Sequence, residues 1–206
     1  MAETVDDIIL GIDPGTNLMG YGVLAVKNRK PQMLALGVIM LSKIDDRYER
    51  LQKIYSRVQS LVEHYNPNHI AIEAPFFGKN VQSMLKLGRA QGVAIAASLS
   101  VEGVRPDVIE YEPRKIKMAI TGNGDASKEQ VREILRRTLN LSSDDFVKEL
   151  DASDALAAAV CHFYETSNPI RRAAASSRSS RTSSQRGSSS SWKDFIERNP
   201  DKLKRT

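Results

Sequence analysis

The sequence has little of three things, and each shortage removes a class of function. A single cysteine, Cys161, stands among 206 residues, so no internal disulfide framework exists and a reducing compartment is the natural setting. No apolar stretch approaches the roughly 20 residues that a helix needs to cross a bilayer. The opening run MAETVDDIIL carries acids where a secretory signal carries lysines. Together these predict a cytoplasmic protein with no membrane partner. Only three histidines accompany the cysteine, and no Cys/His cluster forms along the chain, so a soft-ligand metal site has no donors.

What is present is enough apolar residue, 41 % of the chain, for one sizeable α/β core with residues to spare. The formal net charge of +5 is unevenly placed: residues 168–206 hold ten Lys or Arg and three Asp or Glu, a net +7, leaving a net −2 for residues 1–167. Within that tail, RRAAASSRSSRTSSQRGSSSS contains no acid, no aromatic and no apolar residue larger than alanine. Such a stretch cannot bury enough surface to fold by itself. The chain divides into a folded domain over 1–167, a disordered Ser/Arg-rich linker over 168–191, and a short basic motif over 192–206.

Strand signals fall at Ile8–Asp13, Gly20–Val26 and Gln32–Leu41, the last two joined by KNRKP, whose polar residues and Pro31 suit a hairpin turn. From Asp46 to Tyr65 the apolar residues Leu51, Ile54, Val58, Leu61 and Val62 recur at threes and fours, the mark of an amphipathic helix. Then follow a short strand in HIAIEAPF, an apolar helix in NVQSMLKLGRAQGVAIAASLS, and a strand in DVIEYEP. Next comes a helix in SKEQVREILRRTLN, opened by the capping-box spacing of Ser127 and Gln130, and an alanine-rich helix in DASDALAAAVCHFY. The order predicts a mixed sheet with helices on its faces. The helix from Val81 to Leu99 is apolar round more of its circumference than one sheet face can cover, which predicts a second partner for it.

Two of the predicted strands end on a carboxylate, Asp13 after Ile8–Ile12 and Glu73 after Ile70–Ile72. A buried-strand ending of that kind is costly unless its charge is compensated. Asp151 and Asp154, three apart on a helix, share a face and repel unless a cation sits between them. Each acid alone also fits a structural role: a turn after a strand, an ion pair with a lysine such as Lys79, an N-cap. If the first and fourth strands are neighbours and the last helix crosses their ends, the four carboxylates converge. Oxygen ligands alone select a hard cation, Mg²⁺ with Mn²⁺ as substitute. Two such ions about 4 Å apart would activate a water and stabilise the leaving oxygen of a phosphodiester.

The stretches GIDPGTNLMGYGV, AIEAPFFGKN, LKLGRAQGVAIAA and DASDALAAAVCH resemble, in this order and at similar spacing, the RuvC family of bacterial crossover junction endodeoxyribonucleases. The resemblance runs from about Ile8 to His162. It implies a ribonuclease-H-like fold with a five-stranded mixed sheet and helices on both faces. It also implies a homodimer, Mg²⁺-dependent nicking of two symmetric strands of four-way junction DNA, and the branch-migration proteins RuvA and RuvB as partners. Carried over by motif, Asp13, Glu73, Asp151 and Asp154 are the metal-binding catalytic acids, and Lys117 and Lys128 the basic residues near the scissile phosphate. Phe76 is the aromatic beside the junction, with Phe77 the neighbouring alternative. Lys79, Arg114 and Lys115, with Lys86 and Arg89, are further basic residues able to line a groove for phosphates.

Other functions are open to the same motifs. An actin-like ATPase also begins with a strand, an Asp, a Gly and a Thr around phosphate, but needs a second lobe for which no residues remain. A nuclease of the same fold acting on structured RNA shares the acids. A non-catalytic junction binder has no use for all four. The tail extends beyond the usual family chain. Its arginines Arg171, Arg172, Arg178, Arg181 and Arg186, spaced through serine, suit a phosphate backbone. Trp192, Phe195 and Ile196 make one apolar edge at i, i+3 and i+4, suited either to folding back or to docking on a partner.

Overall fold

The computed structural model describes residues 5–75, 80–141 and 150–167, the last of these with side chains from 152 onward. The expectations for Phe76, Phe77 and Lys79, the linker 168–191 and the motif 192–206 lie outside the described residues. Three strands open the chain, β1 (Asp7–Asp13), β2 (Leu18–Lys27) and β3 (Lys30–Met40), followed by helix α1 (Arg47–Tyr65), strand β4 (His69–Glu73), helix α2 (Val81–Leu99) and strand β5 (Asp107–Tyr111). Three helices close it, α3 (Pro113–Thr121), α4 (Lys128–Thr138) and α5 (Leu150–Ser167).

The five strands form one sheet in the order β3-β2-β1-β4-β5, antiparallel from β1 to β3 and parallel across β1, β4 and β5. β1 and β4 are therefore neighbours, as the convergence of the acids requires, and their register pairs Ile12 with Ile72. Local chemistry sets several boundaries. Asp46 caps α1 by accepting from the amides of Tyr48 and Glu49 at 2.7 and 2.9 Å, worth about 1 kcal/mol. The capping box forms at α4: Gln130 N donates to Ser127 Oγ at 3.3 Å and Ser127 N to Gln130 Oε1 at 2.8 Å.

Two local expectations need correction. Pro31 does not belong to the β2–β3 turn. That turn is the two residues Asn28 and Arg29, both at positive φ (50° and 62°), a geometry whose twist matches the flanking strands. Pro31 instead sits in β3 opposite Val26, on an edge strand where a missing amide is tolerated. The strand expected over DVIEYEP stops at Tyr111, because Pro113 opens α3, a nine-residue helix closed by Gly122 at φ 74°. Proline at the first helical position loses no helical hydrogen bond.

The two faces of the sheet carry separate cores. Leu10, Ile12, Val23, Ile70 and Ile72 pack against Ile54, Val58, Leu61 and Val62 of α1 and Ala90, Ala94 and Ala97 of α2. On the other face Ile9, Leu24 and Ala71 meet α5, with Ile116 and Ile120 of α3 and Val131 and Leu135 of α4 around it. α5 lies unusually close. A Cβ on Gly11 would fall 2.0 Å from the Ala155 carbonyl oxygen, and one on Gly22, its register partner, 2.8 Å from Leu156 Cα. A glycine pair on the sheet and an alanine run on the helix thus bring two backbones into contact.

Candidate active site

Strand alternation places Asp13 and Glu73. On β1, Ile9 and Gly11 face α5 while Leu10 and Ile12 face α1 and α2, so the next odd residue, Asp13, belongs to the α5 side. β4 is paired with Gly11 opposite Ala71, which puts Glu73 on that side too. Both carboxylates end their strands at the same edge of the sheet. α5 starts at this edge: Ala155 rests on Gly11, and seven residues later the ring of His162 lies 4.6 Å from that of His69, at the opposite end of β4. Asp154, one residue before the Gly11 contact, is thereby delivered to the carboxylate edge.

There Asp154 and Glu73 border a small cavity of about 40 Å³ together with Lys117 of α3 and Lys128 at the start of α4. The Lys128 ammonium donates to Asp154 Oδ2 in an ion pair. The Asp154 side chain is 14 % exposed and that of Lys128 47 %, so the lysine reaches in from solvent to a mostly enclosed acid. Among the described residues no three His, Cys, Asp or Glu side chains close into a group able to hold a metal ion. The fourth acid, Asp151, lies on α5 one turn before Asp154 with its side chain outside the described set.

The other basic residues separate. Lys115 is committed to Glu165 at 3.1 Å and lies 5.0 Å over the Tyr111 ring. Arg114 is exposed, 3.8 Å from Asp125. Behind them, Tyr111, which pairs with Glu73 in the sheet, shares a 2.8 Å hydrogen bond with His162 Nδ1. Burial holds His162 at a pKa of about 4, and burial also raises the Tyr111 hydroxyl above its ordinary value. Both are neutral parts of the core at neutral pH.

One site-shaping residue escaped the sequence. Arg50 of α1 donates from Nε to the Ile44 carbonyl at 2.6 Å and from Nη1 to the Thr16 carbonyl and Asn17 Oδ1 at 3.0 and 3.3 Å. The Asn17 carbonyl accepts from Leu41 N and Ser42 N at 2.9 Å each. The loop directly after Asp13 is therefore pinned to the loop between β3 and α1. On a helix with several charged residues, nothing in the sequence marks Arg50 as different.

Comparison with known proteins agrees with this arrangement. The family model described as crossover junction endodeoxyribonuclease RuvC matches residues 9–162. A crossover junction endodeoxyribonuclease RuvC of Porphyromonas gingivalis is 52 % identical over 197 residues, covering 96 % of this chain and 97 % of that one. One of Bacteroides fragilis is 52 % identical over 199 residues, 97 % of each chain. Alignments of 197 and 199 residues leave at most nine and seven of the 206 outside them, so these relatives share most of the extension after 167. A solved structure of T. thermophilus RuvC in complex with Holliday junction substrate matches with a TM-score of 0.70 at 32 % identity, over 81 % of this chain and 96 % of that one. With its strand order, its edge of carboxylates and these matches, the chain belongs to the RuvC family of crossover junction endodeoxyribonucleases.

Proposed function

We propose that the protein resolves four-way DNA junctions by hydrolysing one phosphodiester on each of two symmetric strands, in a Mg²⁺-dependent reaction serving recombination and repair. The observation that carries this is the arrival of Asp13, Glu73 and Asp154 from three elements at one sheet edge, bordered by Lys117 and Lys128, in a chain of this family. Asp13, Glu73, Asp151 and Asp154 would hold the metal. All are hard oxygen donors, and the reactive edge offers no thiolate or imidazole among its described residues, which suits Mg²⁺ with Mn²⁺ as substitute. Bound divalent ions supply a water of lowered pKa and neutralise charge building on the phosphate and leaving oxygen.

The chain's own residues do the rest. Asp154, mostly enclosed, is held in place by its ion pair with Lys128. Lys117 and Lys128 present ammonium groups to the scissile phosphate and offset the charge of the transition state. Tyr111 and His162 hold β5 against α5, and Arg50 holds the loop after Asp13, which favours a preformed site.

A junction has two equivalent scissile strands, and a homodimer places one site on each. α2 supports this assembly. Val81, Leu85 and Leu99 are exposed, and a Cβ added at Gly88 or Gly92 on the same stripe would meet nothing within 4 Å among the described residues outside its own helix. Two helical glycines cost about 1 kcal/mol each, a cost offset where a partner backbone packs on them. The domain over 1–167 is the nuclease; the Ser/Arg segment 168–191 adds salt-dependent DNA affinity and the motif 192–206 docks a branch-migration partner, RuvA or RuvB. No helix among the described residues is long and apolar enough to cross a membrane, and the site of action is the cytoplasm. The test is to offer the protein a synthetic four-way junction, linear duplex and structured RNA with and without Mg²⁺. Paired symmetric nicks confined to the junction and to Mg²⁺ are expected; cutting of RNA alone, or cutting without a divalent ion, would overturn the proposal.

A further inference from the structure

A second cavity lies on the side of the sheet away from α5. It is an open cleft of about 640 Å³ between the N-terminal halves of α1 and α2, floored by the loop after Asp13. It opens at the carboxylate edge. β3 ends there, with Met40 paired to Leu18, so α1 starts there; α2 starts there because it follows β4. The cleft presents Arg47, Lys86 and Arg89 to solvent, with Arg50 below them fastened to the loop, and Asp45 is the one acid on its wall. Among the described residues, neither Lys86 nor Arg89 pairs with a carboxylate. The Arg47 guanidinium sits 4.8 Å over the ring of Tyr48, itself 62 % exposed. Exposed cations with no carboxylate partner, beside an exposed aromatic, suit a nucleic acid backbone.

We propose that this cleft binds backbone phosphates of the uncut strand of the DNA arm whose other strand lies over the acids. The inference rests on the nuclease reading above and adds a second contact to it. Lys117 and Lys128 flank the carboxylate edge on the α3/α4 side, and Arg47, Lys86 and Arg89 flank it on the α1/α2 side. A duplex laid along the edge offers one backbone to each. The exposed stripe of Val81, Gly88 and Gly92 points about 100° round α2 from Lys86 and Arg89 at 3.6 residues per turn, so a partner helix and a DNA strand can use α2 together.

The experiment measures junction affinity of the full chain against salt in Ca²⁺, which permits binding without rapid turnover, for the wild type, K86Q/R89Q, and a control, K27Q/K30Q, that removes the same charge at the far edge of the sheet. The double cleft variant is expected to bind roughly tenfold more weakly, with a log–log salt slope shallower by about 2, and the control to match the wild type. Lys86, Arg89 and Lys30 are exposed and Lys27 is half-buried at the end of its strand, and a melting curve verifies that both variants fold. A cleft variant matching wild-type affinity and slope, in a protein that still nicks junctions, overturns this inference alone. Equal losses in both variants would reduce the effect to bulk charge and overturn it too. A melting shift with inorganic phosphate or ATP that the cleft variant loses, at unchanged junction affinity, would make this a small-phosphate site and also overturn it. A wild type that neither binds nor nicks a junction defeats the nuclease reading itself.

Discussion

The two faces of the sheet are built on opposite principles. On the α1/α2 face, Ile54, Val58, Leu61 and Val62 of α1 pack with Leu10, Ile12 and Val23, and α2 adds Ala90, Ala94 and Ala97. Large side chains there provide area, at about 1.5–3 kcal/mol for each one buried, and leave room for adjustment. The α5 face replaces area with proximity: Gly11, Gly22 and the alanines of α5 put helix and sheet backbones in direct contact. Close packing of that kind fixes position to within a fraction of an ångström, because a single methyl cannot be absorbed. The acids project on the face that is fixed, and the broad basic cleft lies on the face that is adjustable. The proposed chemistry and the proposed grip thus fall on opposite faces of one sheet.

Breaking the comparison at the acids gives the largest effect. Glu73→Gln, Asp154→Asn and Asp13→Asn should each lower junction nicking by about 10³-fold or more while retaining junction binding, since a lost ligand removes activation of water and leaving group but no phosphate contact. Near-normal nicking by any of them, read on a denaturing gel, removes that residue from the site.

Gly11→Ala attacks the spacing itself. The added methyl would overlap the Ala155 carbonyl, which must move with Asp154, so a loss of about 3 kcal/mol and a fall in nicking beyond the loss of folded protein are expected. Denaturant unfolding and a rate measured at a temperature where the variant is folded separate the two. The addition of one carbon on the opposite face, Val58→Ile, should cost about 1–2 kcal/mol, less than Gly11→Ala. Equal costs would mean that the two faces are packed alike.

The α5 face should also be the acid-sensitive one. The pKa of His162 falls from 6.5 to about 4 in the folded protein because burial disfavours its charged form. Between those values the unfolded chain binds the extra proton, so this contribution is complete above pH 6.5 and is lost as pH falls toward 4, amounting to about 3 kcal/mol. His162→Gln should flatten that part of the stability profile. A profile unchanged by the substitution would place the acid sensitivity elsewhere.

Smallest is the effect of Arg50, which acts from the adjustable face on the loop after Asp13. Arg50→Ala should cost about 1–2 kcal/mol and lower turnover at saturating junction more than it weakens binding, with partial rescue by Lys. A change in affinity alone would make Arg50 a DNA contact rather than a positioning residue.

The sequence exposes these features unequally. Carboxylates that end apolar strands are visible because they violate the pattern around them, and the Ser127–Gln130 cap because it is local. α3 is hidden because Pro113 reads equally as the end of a strand and the start of a helix, and only Ile116 and Ile120 facing the core settle which. Pro31 reads as a turn until β3 is known to be an edge. The roles of Gly11, Arg50 and Lys115 depend on residues 33 or more positions away that fold against them, and no short window along the chain contains both partners.

The central claim is that α5 brings Asp154 to the edge where β1 and β4 end, making one cation site from separate elements. Melting of the DNA-free protein across a Mg²⁺ titration tests it without relying on turnover. The wild type should gain stability as the ion relieves repulsion between the acids, and Asp154→Asn and Glu73→Gln should each lose most of that gain. A wild type that does not respond to Mg²⁺, or variants that respond as fully as it does, would contradict the account.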